Sequence, residues 1–159
     1  MDDDRRAPAR LRALPSWLVS RTALQAARLV GEQLAEAGVT RRHFSVLVAL
    51  EDGGPTSQAA LGRRLGLDRS DLHAIVGALE RDGLVERRRD PADARRNLVR
   101  LTPKGRGAIK RLDARVQAAQ DALLAPLDDA ERRRLIALLT RVVEHHAEAG
   151  APPDGAPRG

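Results

Sequence analysis

The stretch "SQAALGRRLGLDRSDLHAIVGALERDG", Ser57 to Gly83, decides the fold. Leu61 and Leu65 stand four apart on one helical segment, and Leu72, Ile75, Val76 and Leu79 form a single stripe on the next. Gly66-Leu67 provides a turn across which the two stripes pack, with Ser57 placed to cap the first helix and Asp68 the second. Such a pair is either a helix-turn-helix or an ordinary hairpin in a bundle core. The residues after Gly83 favour the helix-turn-helix. There the period changes: "LVERRR" and "NLVRLT" read as strands around the turn-rich "DPADAR", a β-hairpin with a basic tip that makes the unit a winged helix.

Outward from this stretch, the punctuation is helical. A first helix is expected from about Pro15 to Ala37, stopped by Gly38, and a second from about Thr40 to Glu51, stopped by Asp52-Gly53-Gly54-Pro55. Thr102-Pro103 is a cap followed by proline at the first helical position, opening a long helix to about Leu124. Asp128 and Glu131 make a capping-box-like start to a last helix reaching about Glu148. The predicted fold is mainly α with a small β-hairpin wing, in the order α-α-α-α-β-β-α-α. Residues 1–159 form one domain: a disordered arm (1–13), helices contributing to dimerisation (14–52 and 103–148), a winged helix-turn-helix lobe (53–102) and a disordered tail (149–159). A dimer interface is the simplest sink for the apolar surplus near the C-terminus, since Leu123, Leu124, Leu127, Leu135, Ile136, Leu138, Leu139, Val142 and Val143 are more than a small lobe can hide.

Charge points to the partner. The chain of 159 residues carries a formal net charge of +6 with a pI near 11.1. From Arg81 to Arg111 there are 11 basic and 4 acidic side chains, a surplus larger than that of the whole chain. Around the recognition helix, Ser70, Ala74, Gly77 and Arg81 face away from the apolar stripe, flanked by His73 and Asp71. Ala74 and Gly77 are small enough for close approach to a groove floor. Ser70 and His73 are placed for base edges, and Arg63, Arg64 and Arg69 for phosphates. At the hairpin tip Arg95 and Arg96 suit a narrow minor groove, with Asp93 able to fix one guanidinium.

Through "SQAALGRRLGLDRS", "LERDGLVER", "DPADARRN" and "LTPKG", the chain resembles the MarR family of winged-helix regulators over about Leu14 to His146. The resemblance implies a homodimer interlocked through the first and last two helices, with the recognition helix in the major groove and the wing in the minor groove of a pseudo-palindrome. "LPSWLVSR" and "DRSD" further resemble the urate-responsive branch, which has a tryptophan on the first helix and an aspartate on the recognition helix. That resemblance implies an effector pocket for a small anionic aromatic at Trp17 and Asp71, with Arg21 and Arg106 as the candidate arginines. Asp71 has two other readings: a carboxylate meeting the free amides of its own helix, or an acceptor for a cytosine amine.

The expected function is thus a ligand-responsive repressor on double-stranded DNA, the alternative being a non-specific architectural DNA binder. Nothing supports an enzyme: the sequence has no glycine-rich phosphate loop, no supported nucleophile triad and no cluster of metal-ligand spacing. No cofactor or metal is called for. Zero cysteines exclude disulfides and thiolate sites, and single-stranded nucleic acid is disfavoured because Trp17 and Phe44 are the only aromatics. The polar start and the lack of a long apolar run predict a cytoplasmic protein without membrane contact.

Overall fold

The computed structural model describes residues 7–90 and 97–149. These residues fall into two compact units, one ending at Leu123 and the other beginning at Leu124. The first holds α1 (Ala9–Arg12), α2 (Pro15–Ala35), α3 (Arg41–Gly53), β1 (Thr56–Ser57), α4 (Gln58–Leu65), α5 (Arg69–Arg81), β2 (Val85–Arg89), β3 (Asn97–Leu101) and α6 (Pro103–Leu123). The second holds α7 (Asp129–Ala149). A mainly helical chain with a small antiparallel wing is therefore observed, with two additions to the expected order.

The first addition is α1. Residues 9–12, read from sequence as part of a disordered arm, close one turn on the Pro8 carbonyl, which accepts from the amides of Leu11 and Arg12. The second is β1, whose two residues pair with β3 through Thr56–Val99 and Ser57–Leu98, giving the sheet order β1-β3-β2. Two residues carry no alternation, so only the edge offered by β3 reveals them. Two helix ends also differ. α2 stops at Ala35 rather than Ala37, and α3 runs through Asp52 and Gly53 until Gly54 turns it at φ 70°.

The core lies where α3, α4, α5 and the sheet meet α2 and α6. Leu34, Val46, Leu47, Leu61, Leu72, Val76, Leu79, Val85, Val99 and Ile109 are almost fully removed from solvent, each such side chain contributing roughly 1.5–3 kcal/mol of transfer free energy. The helix-turn-helix hinges on Gly66, which is left-handed at φ 62°, after which the Leu67 amide returns to the Gly62 carbonyl at 3.0 Å. In the second unit, Asp128 and Glu131 form the reciprocal box: Glu131 N donates to Asp128 Oδ1 at 2.9 Å and Asp128 N donates to Glu131 Oε2 at 3.0 Å. α7 buries none of its described residues within the chain; Ile136 is 59% and Val143 67% exposed. Among the described residues no helix is long and apolar enough to cross a membrane.

Candidate nucleic-acid interface and effector pocket

The candidate recognition element is α5, and both of its ends are fixed. At the N-terminus the Asp68 carboxylate accepts from the Asp71 amide at 2.7 Å and from the Ser70 hydroxyl at 2.8 Å. These bonds, the amide first, hold Asp68 below the usual carboxylate range. At the C-terminus the "LTPKG" segment clamps the exit loop. Thr102 Oγ1 donates to the Gly83 carbonyl at 2.7 Å and accepts from the Gly105 amide at 3.0 Å, while Lys104 Nζ donates to the Asp82 carbonyl at 2.7 Å. Gly105 lies so close to the Leu84 carbonyl that a Cβ would run into backbone, so only glycine fits. Glu80 accepts from the Arg87 amide at 3.2 Å and from its guanidinium, tying α5 to β2.

Between these anchors α5 buries Leu72, Ile75, Val76 and Leu79 and turns its other face outward. Arg63, Arg69, Ser70 and His73 come together along one open groove of about 1,210 Å³ between α4 and the start of α5, and all four are exposed. Ala74 is exposed beside them, and a Cβ on Gly77 would find only the Arg81 guanidinium, 3.8 Å away. Arg64 is exposed but does not line this groove: its Nη1 donates to the Ala49 carbonyl at 3.1 Å and its Nη2 stands 3.9 Å from the Asp52 carboxylate at the end of α3. On the wing, Glu86 is held below the usual carboxylate range by Arg100 and then Arg88, which contact it at 2.7 and 3.0 Å. Asp93, Arg95 and Arg96 lie outside the described residues.

Asp71 behaves differently from its capping reading. Its amide, not its carboxylate, takes part in the cap; the carboxylate pairs with the Arg42 guanidinium on the first turn of α3. Sequence reasoning missed Arg42, which stands 29 residues away and carries no local signal. The Arg21 guanidinium stands 5.9 Å from the centre of the Trp17 indole ring, one turn along α2. They line a cavity of about 590 Å³ with Arg12, Gln25, Arg28 and Leu29. Asp71 and Arg106 do not line it; Arg106 instead donates to the Leu101 carbonyl at 3.4 Å.

A two-helix turn that exposes one face of its second helix, closed by a three-stranded antiparallel sheet, defines a winged-helix DNA-binding protein. Comparison with known proteins narrows the class. A MarR-family model matches residues 37–96. A protein of Thauera aromatica assigned to transcriptional regulation of the hcr operon is 35% identical over 114 residues, covering 72% of this chain and 69% of its own length. The crystal structure of CouR from Rhodococcus jostii RHA1 bound to p-coumaroyl-CoA is 31% identical, covers 83% of this chain and 93% of its own, and superposes with a TM-score of 0.70. A Mycobacterium tuberculosis MarR-family protein in complex with DNA is 26% identical, with coverages of 82% and 98% and a TM-score of 0.72. The chain belongs to the MarR family of winged-helix transcription regulators, proteins that bind DNA and are not enzymes.

Proposed function

We propose that the protein is a homodimeric repressor that binds a pseudo-palindromic operator and is released by a small anionic aromatic effector. The observation that carries the DNA half is the convergence of Arg63, Arg69, Ser70 and His73 on the outward groove of α5. In this reading the arginines hold phosphates, Ser70 and His73 read base edges, Ala74 and Gly77 let the backbone approach, and Arg95 and Arg96, steadied by Asp93, enter the minor groove. Arg64 is a weaker member of the set, being occupied by Ala49. Two recognition helices on a dimer address half-sites about one helical turn apart, ~34 Å.

The effector half rests on the Trp17–Arg21 cavity, an aromatic face beside cations. CouR with its p-coumaroyl thioester supports an aromatic effector, and the residues shared with the urate-responsive branch make urate the first compound to test. Asp71 enters through Arg42: an anion that draws this guanidinium away releases a tie between α3 and the start of α5. Arg106, at the foot of α6, is the second candidate cation. A hundredfold loss of operator affinity needs only ~2.7 kcal/mol of differential effector binding.

Footprinting on the promoter upstream of the coding region tests both halves. A protected inverted repeat, lost on adding urate, xanthine or salicylate, is expected. Trp17→Phe and Asp71→Ser should preserve the footprint while blunting release. Equal affinity for random duplex at moderate salt would instead identify a non-specific architectural binder.

A further inference from the structure

Besides the effector cavity, the first unit has a second concave site at the opposite end of α2. It measures about 490 Å³ and is bounded by Gly38 and Val39 after α2, Asp82 and Leu84 after α5, and Lys104, Arg111 and Arg115 on α6. That volume falls within the ~300–1,000 Å³ of small-molecule sites. The three cations share one face because their spacings of seven and four residues return to the same side of a helix. The floor is apolar, with Leu84, Ala108 and Leu112 buried. Three cations and the one carboxylate of Asp82 line it.

The cations differ in how they are used. Arg115 is committed to the Glu36 carboxylate at 2.6 Å and to the Gln33 carbonyl. Lys104 and Arg111 have no carboxylate partner among the described residues. Lys104 donates to the Asp82 carbonyl at 2.7 Å, and Arg111 to the Gly107 carbonyl of its own helix at 3.1 Å. Neutral carbonyls satisfy hydrogen bonds but leave charge unbalanced, so both heads gain from an anion. Operator DNA is a poor occupant. The groove assigned to DNA lies at the N-terminal end of α5, and Asp82 is twelve residues beyond Ser70, about 18 Å along the helix.

We propose that this cavity is a binding site for a small dianion held between Lys104 and Arg111, separate from both the operator face and the Trp17 cavity. Two charges on the ligand match the two cationic heads of Lys104 and Arg111, and its short carbon frame would rest on Leu84, Ala108 and Leu112. An occupant there touches the loop joining the recognition helix to the wing. Phosphomonoesters and short dicarboxylates share the required chemistry, and the test separates them.

Calorimetric titration of the full-length protein with inorganic phosphate and with succinate, at matched ionic strength, should give one saturable site per chain for at least one of them. Phosphate alone would indicate a compact phosphoryl ligand, succinate a dicarboxylate, and acetate should bind at least tenfold more weakly than either successful dianion. Arg111→Gln should weaken binding at least tenfold with an unchanged melting temperature, Arg111→Lys should restore it to within threefold, and Arg69→Gln should leave it intact. Failure of both dianions to bind overturns the proposal. So does binding that survives Arg111→Gln and disappears with Arg69→Gln, which would put the anion on the operator face.

Discussion

α5 and α7 carry apolar residues at similar helical spacing and meet opposite fates. In α5, Leu72, Ile75, Val76 and Leu79 are covered by the chain's own helices and sheet. In α7, Ile136, Leu138, Leu139, Val142 and Val143 are all exposed within the chain. Periodicity therefore reports which face of a helix is apolar and is silent on where its cover comes from. For α7 the proposed cover is a second copy, because a contiguous apolar stripe open to water is costly at ~25 cal/mol per Å².

The largest expected effect tests that difference directly. Leu139→Glu with Val143→Glu should convert dimer to monomer in sedimentation and reduce operator affinity more than tenfold. On a helix face that stays in water, such changes fall within about 0.5 kcal/mol of neutral. An unchanged dimer would break the comparison.

A second experiment addresses the saturated region. Gly105→Ala forces a Cβ against the Leu84 carbonyl, which belongs to the backbone and cannot swing aside. A loss of about 3 kcal/mol in urea unfolding is expected, at the upper end of ordinary overpacking. Gly77→Ala marks the opposite circumstance, since its added methyl meets only the tip of Arg81. It should stabilise the free protein by up to ~1 kcal/mol through helix propensity while weakening operator binding, because the proposed interface sets Gly77 against the groove floor. Tighter operator binding would remove Gly77 from the interface.

The smallest effect concerns pH. The His43 imidazole stands at the third position of α3, where Nδ1 accepts from the Thr40 amide at 3.3 Å and the Thr40 hydroxyl accepts from the His43 amide at 3.2 Å. Burial lowers its pKa from 6.5, against an opposing pull from Asp82. The folded chain thus resists protonation more than the unfolded chain does. Stability is fully present above about 6.5 and declines as pH falls through that value toward the lower folded pKa. His43→Gln preserves the box without a titrating ring, so its urea midpoint between pH 7 and 5 should fall less than that of the wild type.

What could be read from sequence was what depends on near neighbours. Ser57, Asp68, Thr102 and Asp128 announce helix starts because each bond closes over three residues. The strands from Val85 and Asn97 show themselves by a change of period, and the outward face of α5 follows from 100° steps around the helix. Contacts across the tertiary structure had no such signal. Arg42 meets Asp71 and Arg64 meets Ala49 only after α3 has docked on α4 and α5. The pairing of β1 likewise depends on an edge that β3 supplies much later in the chain.

The Gly105–Leu84 approach and the Thr102 and Lys104 bonds weld the exit of the recognition helix to the foot of α6. Mechanically, α6 becomes a lever with its load fixed at one end. At 21 residues it is about 31 Å long, so tilting it by about 5° around its far end sweeps the foot through roughly 3 Å. With so little slack at the joint, that displacement passes to α5 nearly undiminished. In the proposed dimer, a small adjustment at the far end of α6 would therefore spoil the fit to a half-site without any deformation of the helix-turn-helix itself.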